Sequence, residues 1–420
     1  MRQDLLKRKG YLGDLPPEEK NPEAEQTIQG AIKAFWQEQE DRNKINLFER
    51  ENLRNLLIET RNRLHIGEIT QNTANDIRRE VRETGRKLDC LNQVLPLINT
   101  EASVLPRGAQ IFEIETPNLG KLAIRTVTLD TRSEQEKAQQ TDVVPTIFIA
   151  PWSADFQSPS ALTMPLAVLS DRPVVVLSLP EHYTSQRPKD WVKRLKKAGN
   201  FSLHAEMVIE VIKKLGFNQV DLVGISAGGE IALAVGQRLS NNQANIAVNN
   251  LNIFNTPGFE GRNGVDLLSA FTIRTGLQTM QDQDAKRRLL IVQRGIGDFK
   301  GTGSMYTAFN LLTKKLLSSE SLALIKTLGK FRMFFGDKDV VASSKPAQQM
   351  VGQLKNIDPE NKLQFILVKG GNHGMATSKA AFFANVMAQD QEVSSEVKVD
   401  QLPSTLADLL AQKYHILRIV

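Results

Sequence analysis

The residue best suited to chemistry in this chain is a serine flanked by glycines. The stretch Asp221-Leu-Val-Gly-Ile-Ser226-Ala-Gly-Gly229 ends a short apolar run and opens directly into the helix-like segment 230–239. This order predicts a strand, a sharp turn and a helix, and Gly224 and Gly228 let the turn take a strained backbone. We therefore predict that Ser226 is a nucleophile at the positive end of a helix. The alternative is an ordinary glycine-rich turn, which can also hold a phosphate.

A histidine and a carboxylate further along supply what a serine nucleophile lacks. A serine hydroxyl needs a base to take its proton, and the base needs a carboxylate to orient it. Among the five histidines, His373 follows the apolar run 363–368 in a Gly-Gly-Asn-His-Gly loop, and Asp339 follows the apolar run 331–335. Open α/β sheets place their sites at such strand ends. Taken singly, His373 can be a loop histidine and Asp339 a turn former, but with Ser226 they make a nucleophilic triad.

The order Ser226, Asp339, His373, each just past a predicted strand, resembles the α/β-hydrolase superfamily, whose triad runs in that order. The resemblance covers most of residues 105–393. It implies that Gly-Asp-Lys-Asp-Val-Val is the acid loop, in which the second acidic residue orients the histidine. Asp339, rather than Asp337, is therefore the predicted acid.

Acyl transfer also needs hydrogen-bond donors aimed at the developing negative oxygen. The backbone N–H of Ala227, directly after the nucleophile, is the first predicted donor. The resemblance implies a second donor from the loop after the third strand, which reads Pro-Trp-Ser-Ala-Asp over residues 151–155. Superfamily members often carry His-Gly there, so the second donor is open between Trp152 and Ser153. Trp152 either walls the acyl pocket or is a packed loop aromatic, and His182 is a lesser candidate for lining the pocket.

The predicted fold is α/β. Strands 110–115 and 121–129 form a hairpin through the turn residues Thr116–Gly120, and six later strands alternate with helices. This alternation predicts right-handed crossovers and a mostly parallel sheet flanked by helices. The six later strands are expected at 144–150, 174–179, 220–225, 249–255, 331–335 and 363–368.

The chain divides into five predicted segments. An N-terminal arm and helical hairpin occupy 1–104, the hydrolase core occupies 105–258 and 329–393, and a tail with a short helix occupies 394–420. The interval 259–328 is too long for a simple connection. By resemblance it is a helical cap, which covers the site and excludes water.

The helical hairpin has one apolar face on each helix. Thr73 is expected to cap the second helix, with Asp76 as its capping-box partner. Two such helices bury little by themselves, so the hairpin is expected to dock on the hydrolase, to self-associate or to bind a protein partner. The apolar stripe of the second helix consists of Ile77, Val81, Leu88, Leu91 and Leu95.

Composition narrows the class of protein. The chain has 420 residues, one cysteine and a net charge of +6, with short basic stretches that are typical of solvated helix faces. The basic residues lack the interleaved aromatics that single-stranded nucleic acid requires, so no nucleic-acid role is expected. No apolar run reaches the roughly 20 residues of a membrane span, and the N-terminus does not resemble a secretory signal. We expect a cytoplasmic protein.

The predicted function is hydrolysis of a carboxylic ester of a small acyl compound through an acyl-enzyme, with no metal or organic cofactor. Thioester hydrolysis, acyl transfer to an alcohol and carbon–carbon bond hydrolysis use the same triad and stay open, because the pocket and cap decide between them. A different class also stays open, namely a binding protein that acts through the helical hairpin on a hydrolase scaffold.

Overall fold

The computed structural model describes residues 46–93, 109–140, 142–151, 157–181, 187–241, 245–259, 324–355, 358, 360 and 362–416. The predicted N-terminal arm, most of the predicted cap, Trp152, Ser153 and His182 lie outside these ranges.

Strands and helices alternate along the described residues, as the sequence predicts. The strands are Ala109–Thr116 (β1), Gly120–Leu129 (β2), Thr146–Ile149 (β3), Val174–Leu177 (β4), Gln219–Ile225 (β5), Ala247–Phe254 (β6), Lys330–Gly336 (β7), Leu363–Lys369 (β8) and Glu396–Lys398 (β9). The helices are 46–65 (α1), Gln71–Gln93 (α2), Glu134–Gln139 (α3), Gln157–Ser170 (α4), Trp191–Ala198 (α5), Ser202–Leu215 (α6), Ala227–Asn241 (α7), 324–327 (α8), Ser344–Lys355 (α9), Met375–Ser378 (α10), Ala380–Ala388 (α11) and Leu406–Lys413 (α12).

The strands form one nine-stranded sheet in the order β1-β2-β4-β3-β5-β6-β7-β8-β9. The β1–β2 and β2–β4 pairs are antiparallel, and the pairs from β4–β3 to β8–β9 are parallel. The predicted hairpin and the mostly parallel sheet are therefore confirmed. The edge strand β9 was not predicted, because Glu-Val-Lys is too short and too charged to carry a strand pattern.

Helices cover both faces of the sheet, so the inner strands bury side chains on both sides. None of the three residues of the edge strand β9 is buried. Along β3, Ile147 and Ile149 belong to one apolar cluster and Phe148 to the other. Helices α5, α6, α7 and α9 pack in the first cluster, and α1, α2, α4, α10, α11 and α12 in the second. The carboxyl ends of the parallel strands are thereby held at one edge between two packed layers.

The helical hairpin docks on the core of the sheet domain. Ile77, Leu88 and Leu56 are fully buried in the same apolar cluster as the side chains of β3, α4 and α12. Polar contacts fasten the same surface: the Leu406 N–H donates to Glu49 Oε2 at 3.0 Å, and the Tyr414 hydroxyl donates to Glu80 at 2.7 Å. Docking on the core is thus observed, whereas self-association and a protein partner stay predictions.

The predicted cap of the second helix was wrong by three residues. Helix α2 begins at Gln71, and Thr70 Oγ1 accepts the N–H of Thr73 at 3.2 Å. Thr70 is therefore the capping residue, because its hydroxyl satisfies a first-turn N–H that has no partner within the helix. Asp76 pairs with Arg79 at 2.8 Å instead of closing a capping box.

Candidate active site

The serine turn joins β5 to α7 as the sequence predicts. Ser226 has a φ of +54°, in the left-handed region that side chains other than glycine rarely adopt. Its N–H donates to Phe254 O at 2.8 Å, and its carbonyl accepts the Gly229 N–H at 2.9 Å. Such strain persists only where the surroundings fix it, and it is common at functional sites. The turn presents Ser226 at the carboxyl edge of the sheet.

Two glycines make this turn sterically possible. A Cβ on Gly224 would overlap the backbone of Gly228, and a Cβ on Gly228 would overlap the carbonyl oxygens of Ile149 and Ala150. The first turn of α7 therefore lies directly against the end of β3. The spacing of the two glycines around Ser226 follows from these two close approaches.

The structure places Asp339, not Asp337, beside His373. The Asp339 side chain is completely buried, and its Oδ1 accepts the N–H groups of Val341 at 2.7 Å and Ala342 at 3.0 Å. Its Oδ2 lies 2.8 Å from His373 Nδ1. Asp337 Oδ1 instead accepts the N–H of Gly370 at 2.6 Å.

His373 links the carboxylate to the serine. Its Nδ1 faces Asp339 Oδ2, and its Nε2 lies 3.0 Å from Ser226 Oγ. A carboxylate only accepts hydrogen bonds, so Nδ1 carries the proton and Nε2 accepts from the serine hydroxyl. The His373 side chain is 11% exposed, whereas that of Asp339 is fully buried. The three residues predicted from the sequence thus form one hydrogen-bonded chain.

The predicted oxyanion donors are only partly within the described residues. Ala227 is the first residue of α7, so its N–H belongs to the turn whose donors lack partners within the helix. Trp152 and Ser153 lie outside the described residues, so the second donor stays a prediction.

One turn beyond Ser226, Glu230 is a buried carboxyl with no signal in the sequence pattern. It is 2% exposed, and no described residue hydrogen bonds its Oε1. Burial raises the pKa of Glu230 well above its ordinary value. Burial therefore favours the protonated form of the Glu230 carboxyl.

His204, near the start of α6, belongs to a buried polar cluster. Its Nε2 lies 3.0 Å from Glu181 Oε1, which also accepts the Trp191 indole N–H at 2.7 Å. Burial opposes ionisation of Glu181, but the charge of His204 and these hydrogen bonds lower the pKa of Glu181 to about 2. Glu181 thus holds the segment after β4 against α5, through Trp191, and against α6, through His204.

Sequence analysis gave no role to Asn255, which directly follows β6. It has a φ of +45° and is completely buried. An asparagine at the end of an apolar strand is a usable signal, because asparagine is enriched in the left-handed region. The pattern gave no sign of its partners, which lie far along the chain.

A strand order with two antiparallel pairs leading into parallel strands, and a Ser–His–Asp chain at the carboxyl edge, together decide the fold. The chain has the α/β-hydrolase fold. Residues 208–378 match a family model described as BAAT / acyl-CoA thioester hydrolase C-terminal. This stretch of the hydrolase contains Ser226, Asp339 and His373. The expectation of an esterase-like enzyme of the α/β-hydrolase type is confirmed by the fold and by this match.

Several solved structures resemble this one over about two thirds of its length. A carboxylesterase from Nitrososphaera gargenis is 13% identical, covering 66% of this chain and 97% of its own, with a TM-score of 0.48. A bromoperoxidase from Bacillus anthracis is 13% identical, covering 67% and 100%, with a TM-score of 0.48. An esterase from Exiguobacterium antarcticum is 16% identical, covering 67% and 99%, with a TM-score of 0.48. Likenesses this distant say nothing of the substrate.

No curated protein matches this hydrolase at a significant level. In the part of the chain that the structure describes, no helix combines the length and apolar character of a membrane span.

Proposed function

We propose that this hydrolase cleaves a carboxylic ester through an acyl-enzyme formed on Ser226. The observation that carries the proposal is the hydrogen-bonded chain from Asp339 through His373 to Ser226. Each of its two links is at most 3.0 Å long, which is within the reach that proton transfer requires.

In the acylation step, Ser226 Oγ attacks the carbonyl carbon while His373 Nε2 takes the serine proton. The imidazolium that forms is stabilised by Asp339, which stays ionised. His373 then donates the proton to the leaving oxygen as the carbon–oxygen bond breaks. In deacylation a water molecule repeats the attack with His373 as its base, and the acid and free Ser226 are regenerated.

The developing oxyanion is held by the N–H of Ala227 and by a second N–H from Trp152 or Ser153. The position of Ala227 at the start of α7 supports the first donor, because that end of a helix carries a partial positive charge. Removing one such donor typically costs about 10²–10³ in turnover.

We assign residues 259–328 to a cap that shapes the acyl pocket. This interval leaves the carboxyl end of β6, which lies beside the candidate site, and leads to the amino end of β7. Groups that contact the acyl portion in the transition state determine the relative rates of competing substrates. Changes in this interval are therefore expected to alter the preferred acyl chain length.

Thioester hydrolysis is the second candidate, and the family match favours it. The matched model is that of an acyl-CoA thioester hydrolase C-terminal region, and it spans the segment carrying all three candidate residues. The acylation chemistry is the same, but the leaving atom is sulfur.

Initial rates on an oxygen ester and a thioester of the same acyl group test both candidates. We expect at least one to be hydrolysed and Ser226→Ala to remove that activity. Ser240→Ala is the matched control: Ser240 lies in α7, the helix that follows Ser226, and among the described contacts its hydroxyl donates only to Gln237 O, at 2.9 Å. Hydrolysis of neither compound class across graded chain lengths would refute the proposal, and a thioester preference would select the second candidate.

A further inference from the structure

Asn255 lies where the backbone segments that carry Ser226, Asp339 and His373 come together. It follows β6, which lies between the serine strand β5 and the acid strand β7. The preceding residue, Phe254, accepts the N–H of Ser226 through its carbonyl at 2.8 Å. The chain at residues 254–255 therefore touches the nucleophile's backbone directly.

Two hydrogen bonds join Asn255 to the acid strand. Its N–H donates to Phe334 O at 2.9 Å, and its side-chain Oδ1 accepts the N–H of Gly336 at 3.0 Å. Gly336 begins the loop that carries Asp339, so these bonds fix the start of the acid loop.

The other end of the Asn255 amide holds the histidine loop. Its Nδ2 donates to Asn372 O at 2.8 Å and to His373 O at 3.1 Å. Both acceptors are backbone carbonyls, one of them belonging to His373 itself. The orientation of the His373 ring is thus constrained at its own peptide, in addition to the bond from its Nδ1.

Asparagine meets all of these demands at once. The position needs a left-handed backbone, an acceptor on one side and donors on the other, with the side chain wholly buried. Asparagine tolerates that backbone and carries one carbonyl and one amide group. Aspartate keeps the shape but has only acceptors, whereas glycine keeps the backbone and loses the side chain.

We propose that Asn255 is a positioning residue that keeps His373 aligned with both Ser226 and Asp339. This inference rests on the proposed function. It acts through geometry rather than through contact with the reactant, because all its polar contacts named above are to protein backbone. A small misplacement by a residue away from the reacting atoms can cost about 10²-fold in rate.

Asn255→Asp tests this role. The aspartate keeps the shape of the side chain and an oxygen that accepts the Gly336 N–H, but it places a second oxygen, instead of the donating NH₂ group, against the carbonyls of Asn372 and His373. We expect the fluorophosphonate labelling rate to fall about 10²-fold, and kcat on an ester to fall with little change in KM. The low-field proton signal of the His373 Nδ1–H should shift or broaden. Asn249→Ala is the control, since Asn249 lies at the other end of β6 and donates to Asp221 at 3.0 Å. It should lower stability and leave labelling unchanged.

Labelling and the His373 signal both at wild-type values in folded Asn255→Asp would overturn the positioning role. If that variant does not fold, Asn255→Gly keeps the left-handed backbone and removes the side-chain bonds, and the same readouts apply. A wild type that is never labelled would refute the proposed function instead. The His373 signal then still decides whether Asn255 orients the ring, because it does not depend on turnover.

Discussion

Replacing Asp339 by asparagine keeps the shape of the side chain but removes the oxygen that orients His373. In the wild type, Asp339 Oδ1 accepts the N–H groups of Val341 and Ala342, and Oδ2 faces His373 Nδ1. An asparagine must keep its carbonyl oxygen toward the two N–H groups, so its NH₂ group points at His373. A donor there forces the histidine proton onto Nε2, which then presents an N–H to Ser226 and cannot accept the serine proton.

The expected loss follows from this reversed tautomer. The same change in a comparable triad lowers turnover by about 10⁴. At about 1.4 kcal/mol for each factor of ten, the loss corresponds to about 5 kcal/mol of transition-state stabilisation. The fold should persist, because the two backbone hydrogen bonds to residue 339 are retained.

Turnover and fluorophosphonate labelling of Asp339→Asn measure this loss, with circular dichroism to check the fold. Asp337→Asn is the matched control: it lies in the same loop, and the amide oxygen still accepts the Gly370 N–H. It should lose far less activity. A larger loss in Asp337→Asn than in Asp339→Asn would refute the reasoning and reassign the acid.

Three further predictions concern stability, each measured by urea unfolding. Ser226→Gly should be more stable than Ser226→Ala by about 1 kcal/mol, because glycine adopts the left-handed backbone without a Cβ penalty; equal stabilities would mean that the turn stores no strain. As the pH falls below 4.5, the ordinary pKa of a glutamate side chain, the wild type should lose stability faster than Glu181→Gln. The ionised form of Glu181, whose pKa is lowered to about 2, stabilises the fold above pH 4.5, and that contribution disappears between the two values; parallel curves would contradict it. As the pH rises above 4.5, Glu230→Gln should become more stable relative to the wild type, because the folded chain keeps on Glu230 a proton that the unfolded chain releases. A difference that does not change with pH would show that Glu230 titrates normally.

The sequence predicts the sheet well because its strands are short apolar runs separated by turn residues. The hairpin through Thr116–Gly120 and the parallel strands from 144–150 onward are found at nearly the predicted positions. Local pattern suffices there, since a strand buried on both faces is apolar along most of its length. β9 carries no such pattern and is formed by pairing with β8 at the edge.

The sequence predicted the candidate residues that directly follow a predicted strand. It did not predict a residue whose partners are backbone groups far along the chain. Ser226, Asp339 and His373 each follow an apolar run, and the structure brings all three together. Asn255 was missed because its partners lie 81 and 117 residues away, at Gly336 and Asn372. Only the assembled sheet places those backbone groups around one side chain.

Residue type alone also failed to predict one helix cap and one buried polar pair. Thr70 and Thr73 are both acceptable caps by residue type, and the actual start of the helix decides between them. His204 looked like an ordinary helix residue, since its partner Glu181 lies on a different element. Residue type limits the possible roles, and tertiary contacts select one.

The proposed mechanism requires that Ser226 is the residue that becomes acylated. Incubating the hydrolase with a fluorophosphonate and mapping the adduct by mass spectrometry tests it most directly. We expect one stoichiometric adduct on the peptide containing Ser226, absent from Ser226→Ala and retained in Ser240→Ala. An adduct on another serine with Ser226 unmodified would contradict it.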